Sequence, residues 1–261
     1  MKRDLYFSKP IMNTAGSLGF APDPRSGIDL DSFGAFITNP ISLRSRLPAA
    51  QPAVIEFPGG FLLHSGLPNL GLSSVLKKHG ARWNRADMPI IVNLMADRPE
   101  ETQQMVRSLE NIENVMAVEL GFAPLLSDDI ILLNLEMCVG ELPLIFSLPA
   151  EQVLSLGPKL IQDGAAAISV ASPRGALPLT SNSSTLTGTS LEKGGGLVTG
   201  RLYGRSLFPR SLDLVRSARM IGLPIIGAGG VWTEQDAADM LSAGAMAVET
   251  DAQLWVPKEA I

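Results

Sequence analysis

Thiols, imidazoles and long apolar runs are all scarce in this chain. Its one cysteine, Cys138, excludes an intrachain disulfide and any cysteine-clustered zinc or iron–sulfur site within the chain. With two histidines, His64 and His79, no metal constellation is expected. No apolar run reaches the roughly 18 residues that a membrane helix needs, so no membrane partner is expected. The opening Met1-Lys-Arg-Asp-Leu-Tyr6 lacks the apolar core of a secretion signal. A net charge of -5 gives no electrostatic case for nucleic acid. The expected location is cytoplasmic.

What the chain has is apolar bulk. Of its 261 residues 46% are apolar and 18% charged, which suits one folded domain over 1–261 with a large core. Short apolar runs recur along it: Ile11–Ala15, Ala35–Thr38, Pro89–Leu94, Val115–Leu120, Leu142–Leu148, Ala166–Val170, Leu223–Ile226 and Ala245–Thr250. None alternates polar with apolar, as parallel strands buried on both faces require. Helical stretches lie between them, among them Pro99–Leu109, Val153–Asp163, Ser211–Met220 and Thr233–Ala243. Eight such strands with right-handed crossovers predict an α/β protein, a (β/α)8 TIM barrel. No Gly-x-Gly-x-x-Gly unit near the start supports a Rossmann alternative.

Three segments depart from the regular alternation. Residues 39–88, rich in Pro and Gly, are expected as an elaborated βα loop over the barrel mouth. Residues 172–210, with the polar run Thr180–Thr189, are expected as a second long loop on the same face. After the eighth strand too few residues remain for a full helix, so the last helix is expected to be shortened or missing. The apolar surface left at that end would be covered by a second copy of the chain, another protein, or its own loops.

Leu223-Pro-Ile-Ile-Gly-Ala-Gly-Gly-Val231 is the most informative stretch. Thr233 can cap the helix that follows, and a buried strand, a glycine turn and an open helix N-terminus together form a ready anion or phosphate site.

The order and spacing of several segments resemble dihydroorotate dehydrogenase across nearly the whole chain. These are Lys9-Pro-Ile-Met-Asn-Thr-Ala-Gly-Ser-Leu-Gly19, Gly34-Ala-Phe-Ile-Thr-Asn-Pro-Ile-Ser42 and Glu56-Phe-Pro-Gly-Gly-Phe-Leu-Leu-His-Ser-Gly-Leu-Pro-Asn69. Gly200-Arg-Leu-Tyr-Gly204, Pro224–Val231 and Gly244–Val248 continue the match. The resemblance implies an FMN-type barrel with the cofactor over the carboxyl ends of the strands. By that resemblance Ala15, Gly16 and Asn93 would contact the flavin, and Gly204, Gly229 and Gly230 its phosphate.

Other family positions are replaced. Lysines at the ends of the second and fifth strands are Asn39 and Ser147, which removes positive charge that tunes a flavin. Asparagines of the substrate pocket read Leu63 and Gly121, and a further polar pair falls at Ala171–Pro173. The general base aligns with Pro124, which has no proton-accepting side chain. A Gly-Thr at the phosphate end aligns with Asp251-Ala252, whose carboxylate would repel a phosphate unless Arg174, Arg201 or Arg205 offsets it. His64 and Glu119 are weighed as acid–base groups, but packing or structural roles are preferred. Cys138 is expected to be a buried, inert thiol, and Trp232 and Trp255 packing or interface residues.

Three readings follow. The first is a barrel that has lost dihydroorotate oxidation and serves as a structural or regulatory subunit or a ligand-binding barrel. The second is an FMN-dependent oxidoreductase with a rewritten substrate site, and the third a flavin-free barrel enzyme acting on a phosphorylated substrate. The first is preferred, with no catalytic residue and no metal assigned, and with FMN bound weakly or not at all.

Overall fold

A computed structural model describes residues 5–51, 53–178, 184–185 and 196–251. In chain order its strands are β1 Ile11–Asn13, β2 Phe36–Ile37, β3 Ala53–Phe57, β4 Gly60–His64, β5 Ile90–Met95, β6 Val115–Gly121 and β7 Leu144–Leu148. They continue with β8 Ala167–Val170, β9 Arg174–Pro178, β10 Ser184–Thr185, β11 Leu197–Tyr203, β12 Ile225–Gly227 and β13 Ala247–Thr250. The helices are α1 Leu72–Asn84, α2 Pro99–Leu109, α3 Asp128–Cys138, α4 Ala150–Asp163, α5 Phe208–Met220 and α6 Glu234–Ala243.

Eight strands form one parallel sheet in the order β1-β13-β12-β8-β7-β6-β5-β2. It closes on itself, because Met12 bridges Ala35 in parallel and the Gly34 amide donates to the Ile11 carbonyl at 2.8 Å. This is the expected (β/α)8 barrel, and each of the eight apolar runs supplies one of its strands. Successive side chains point to opposite faces. Ile37, Ile91, Ala117, Ile145 and Ile226 therefore fill the barrel. Their neighbours Phe36, Val92, Val118, Phe146 and Ile225 pack outward under the helices. Each strand is buried twice, which is why none alternates with polar residues.

The 39–88 stretch is more ordered than expected. It holds the β3–β4 hairpin and helix α1, not an irregular loop. Helix α1 buries Leu72, Val75 and Trp83, and the Trp83 indole donates to the Phe20 carbonyl at 2.7 Å. Its apolar positions are few and Gly80 interrupts them, so the helical period is faint in the sequence. Helix α3 also carries no clear period, because Ile130–Leu133 is apolar all round.

The two long connections meet in space. Strands β10-β3-β4-β11-β9 form a second, antiparallel sheet, with Arg201–Tyr203 of β11 paired to Phe61–Leu63 of β4. Only residues 184 and 185 of the polar run Thr180–Thr189 are among the described residues. The expected shortening of the last helix, with Ala252 and Trp255, falls on residues 252–261 and lies outside them. Among the described residues no helix is long and apolar enough to cross a membrane.

Candidate functional site

The β12–α6 turn is built by close backbone approach. Gly230 has φ +79°, and a Cβ there would lie 2.4 Å from the Phe208 amide nitrogen. Gly204, at φ +132°, would place one 2.3 Å from the Cα of Gly60. Only glycine fits either position. The two residues bring their amides to one acceptor. Asp251 Oδ2 receives the Gly230 amide at 2.8 Å and the Gly204 amide at 3.3 Å. The Asp251 side of this contact is held by its own amide, which donates to the Val231 carbonyl at 3.0 Å, and the residue is 3% exposed.

The helix that follows is closed as well. Thr233 caps α6 as expected, in a reciprocal capping box with Asp236. Asp236 Oδ2 accepts the Trp232 and Thr233 amides at 2.9 and 2.8 Å, so the open N-terminus expected from the sequence is corrected to a self-capped one. Burial works against the charge of Asp236, but these amides outweigh it and hold its pKa below the usual carboxylate range. Backbone donors at this turn thus face two acids of the chain itself.

A cavity of about 930 Å³ lies between the barrel mouth and the antiparallel sheet. Ala15, Gly16 and Asn39 come from the barrel, Leu63 and Phe61 from the β3–β4 hairpin, and Arg201 from β11. Tyr203 and Trp232, which stand next to the amide cradle in the chain, also reach this wall. Phe61 and Tyr203 stack with ring centroids 5.6 Å apart. Burial pushes the Tyr203 hydroxyl pKa up, so the phenol is neutral at ordinary pH. Trp232, expected as a packing or interface residue, borders the cavity wall.

A recess of about 150 Å³ adjoins this cavity, sharing Pro40, Leu67 and Arg201 with it. It reaches Asn93, Gly121 and Pro124 at the ends of β5 and β6. Arg174 and Arg201 face each other across β9 and β11 at its rim. Burial first, and the Arg201 charge second, lower the pKa of Arg174. Two guanidinium groups this close favour an anionic group between them. Asp97, on the same wall, is engaged by the Ala123 amide at 2.8 Å.

Beneath the mouth lies a buried polar layer. Asn93 Nδ2 donates to Glu119 Oε2 at 2.8 Å, and Ser169 Oγ to Glu119 Oε1 at 2.6 Å. Glu119 is 2% exposed, so its carboxylate is a structural anchor, as preferred from the sequence. Glu249 lies beside it, hydrogen-bonded to Thr14. Burial, then the charges of Glu119 and Asp251, raise its pKa well above the usual value. Its Oε1 is buried with no hydrogen-bond partner among the described residues.

The structure groups the sequence candidates unevenly. Ala15 and Gly16 border the large cavity, while Asn93 borders the recess and points its amide to Glu119. Gly204 and Gly230 meet at Asp251; Gly229 precedes Gly230, and a Cβ there would sit 2.7 Å from Ser211 Oγ. His64 ends β4 opposite Ala53, and Ser147, one residue before the end of β7, pairs with Gly121. Cys138 is buried, and burial pushes its thiol up to about 12. No group of three or more metal-ligating side chains occurs among the described residues. The sequence reading missed Ser169 and Glu249, although polar residues inside apolar strand runs were the available signal.

Comparison with known proteins gives a consistent answer. The family model described as dihydroorotate dehydrogenase matches residues 3–122 and 159–258. The catalytic subunit of dihydroorotate dehydrogenase B (NAD(+)) from Pelobacter propionicus is 27% identical, over 98% of this chain and 87% of its own length. The corresponding subunit from Trichlorobacter lovleyi is 29% identical, over 97% of this chain and 86% of its own. The crystal structure of the Eimeria tenella dihydroorotate dehydrogenase in complex with ferulenol superposes with a TM-score of 0.70 at 17% identity, over 96% of this chain and 77% of that one. The barrel, the glycine turn and this match over most of its length agree: the chain belongs to the dihydroorotate dehydrogenase family.

Proposed function

We propose that this barrel no longer oxidises dihydroorotate and serves as a ligand-binding barrel or as a non-catalytic subunit. The observation that supports the reading is a proline, Pro124, at the position that the resemblance gives to the general base. A general base must come within hydrogen-bond reach of the proton it removes. By the resemblance Pro124 takes the base position; the titratable side chains on the main cavity wall are Glu56, Arg201 and Tyr203, and the recess around Pro124 adds Arg46, Arg174 and Asp97, whose Oδ1 is engaged by the Ala123 amide. Glu56 is exposed on the hairpin, a guanidinium such as that of Arg201 accepts no proton, and Tyr203 is held neutral. Glu119 is committed to Asn93 and Ser169. The ligand of such a site is flat or apolar along the cavity, with an anionic group at Arg174 and Arg201.

A second reading, an FMN-dependent oxidoreductase with a rewritten substrate site, draws support from the volume of the cavity and from the small residues Ala15 and Gly16 on its barrel side. When bound, FMN would supply hydride chemistry, and the ring end of the site has room for it. The phosphate end does not fit, because Asp251 holds the Gly204 and Gly230 amides. The same carboxylate counts against a phosphorylated substrate. A protein partner or second copy at the barrel end is part of the subunit version of this reading.

The test is the purified chain's visible spectrum, followed by anaerobic mixing with dihydroorotate and a dye acceptor. A colourless protein, or a flavin that dihydroorotate leaves oxidised, is the expected outcome. Bleaching of a stoichiometric flavin by dihydroorotate overturns the proposal.

A further inference from the structure

We infer that Asp251 is an internal substitute for a ligand phosphate and makes the cavity select against phosphorylated ligands. This deepens the ligand-binding reading by naming the class of ligand that the site refuses. A helix N-terminus behind a glycine turn ordinarily offers backbone amides to an anion. Here the backbone for such a site is intact: Gly204 and Gly230 keep positive φ and approach their neighbours too closely for any side chain. The donors, however, are turned to the chain's own acids. Gly230 and Gly204 donate to Asp251, at 2.8 and 3.3 Å, and Trp232 and Thr233 donate to Asp236, at 2.9 and 2.8 Å.

A phosphate arriving at this cradle meets two obstacles. It must take the same amides, and it must place its roughly -1.5 to -2 charge beside a carboxylate that is buried and cannot be screened by water. The Asp251 backbone is held by its amide's hydrogen bond to the Val231 carbonyl, and its buried carboxylate leaves the cradle only by giving up the Gly230 and Gly204 amides. Tyr203 lines the cavity and feels the charge of Asp251, so the end of the cavity at Tyr203 is the one that lies near this carboxylate. Fixed negative charge at that end favours a ligand terminating in a neutral hydroxyl over one terminating in phosphate. Discrimination of this kind acts by penalising the wrong ligand as much as by holding the right one.

FMN and riboflavin differ by one phosphate, so the pair isolates the effect. The full chain, Asp251→Gly and Asp251→Asn are each titrated with riboflavin and with FMN by flavin fluorescence, and their melting temperatures recorded with inorganic phosphate. In the wild type FMN is expected to bind no tighter than riboflavin, and phosphate to raise the melting temperature by no more than its binding at Arg174 and Arg201 supplies. In Asp251→Gly, which opens the cradle, the preference is expected to move toward FMN tenfold or more, and phosphate to raise the melting temperature. Asp251→Asn, which keeps the bulk and removes the charge, should move it less.

Tenfold tighter FMN than riboflavin in the wild type overturns the inference, as does an unchanged preference in both variants. If the wild type takes neither flavin, the phosphate melting curves decide: a larger gain in a variant than in the wild type supports it, and an equal gain or none overturns it. If Asp251→Gly fails to fold, Asp251→Asn against the wild type decides on the same criteria. Dihydroorotate turnover would sink the functional reading and leave this one standing. FMN preference in a protein inert to dihydroorotate would do the reverse.

Discussion

The side-chain amide of Asn93 donates to Glu119 Oε2 at 2.8 Å inside the barrel, where the two residues are 5% and 2% exposed. The position that the family resemblance assigned to a flavin contact is thus tied inward to a carboxylate on the next strand. Glu119→Ala should leave the Asn93 amide and the Ser169 hydroxyl buried without an acceptor, at a cost of about 2–5 kcal/mol. Glu119→Gln, which retains one carbonyl oxygen, should lose clearly less. Urea unfolding of the two variants measures the difference, and equal losses would show that the network contributes little.

Glu249 gives the barrel a pH dependence of definite sign. Its folded pKa is raised, chiefly by burial and then by the charge of Glu119, so the folded chain holds a proton that the unfolded chain releases above roughly pH 4.3. Stability should therefore fall by about 1.4 kcal/mol per pH unit from that point up to the folded pKa. Glu249→Gln keeps a neutral side chain in both states and should remove this slope. Its stability relative to the wild type is expected to grow between pH 5 and 7, as read by denaturant midpoints.

The Thr233–Asp236 capping box makes the start of α6 sensitive to small changes. Thr233→Ala should cost about 1 kcal/mol, because the Asp236 amide loses its acceptor. Asp236 has a depressed folded pKa, so its contribution is complete above the unfolded carboxylate value and disappears as pH falls through the folded one. The thermal penalty of Asp236→Asn should accordingly shrink in strong acid. A penalty constant from pH 7 to pH 2 would contradict this.

The antiparallel sheet over the mouth depends on Gly200. A Cβ at that position would lie 2.4 Å from the Leu63 carbonyl oxygen. Gly200→Val should separate β11 from β4, opening residues 53–64 and 197–203 to limited proteolysis while far-ultraviolet dichroism from the barrel helices persists. Unchanged protease resistance would mean that the sheet tolerates the insertion.

Cys138 should be unreactive in the native chain. Its thiol is buried and its pKa is pushed up to about 12, so little thiolate exists at pH 8. Reaction with a disulfide reagent is expected to be at least a hundredfold slower in buffer than in denaturant. Comparable rates would place the thiol at the surface.

The eight barrel strands were legible in the sequence because burial on both faces leaves a continuous apolar run, as at Ile90–Leu94, that needs no partner to be recognised. The glycines at 229 and 230 were legible for a similar reason, since a close approach or positive φ tolerates little else, whereas Gly204 was singled out through the family resemblance. Helix α1 was missed because Gly80 and a sparse apolar face hide its period. The second sheet was missed because β4 and β11 lie more than 130 residues apart and each is half covered. Their pairing is a tertiary event with no local mark.

Sequence alone therefore determined the barrel strands and the glycine turn of 227–230 from local pattern and backbone sterics, while Gly204 was joined to that turn through the family resemblance. It also placed an acid at 251 as a neighbour of the cradle. Only the tertiary structure decided that this acid turns its carboxylate onto the Gly204 and Gly230 amides, and that Asn93 turns to Glu119. Both outcomes depend on which buried donors and acceptors lie within about 3 Å of one another once the barrel closes, and that distance is a property of the fold.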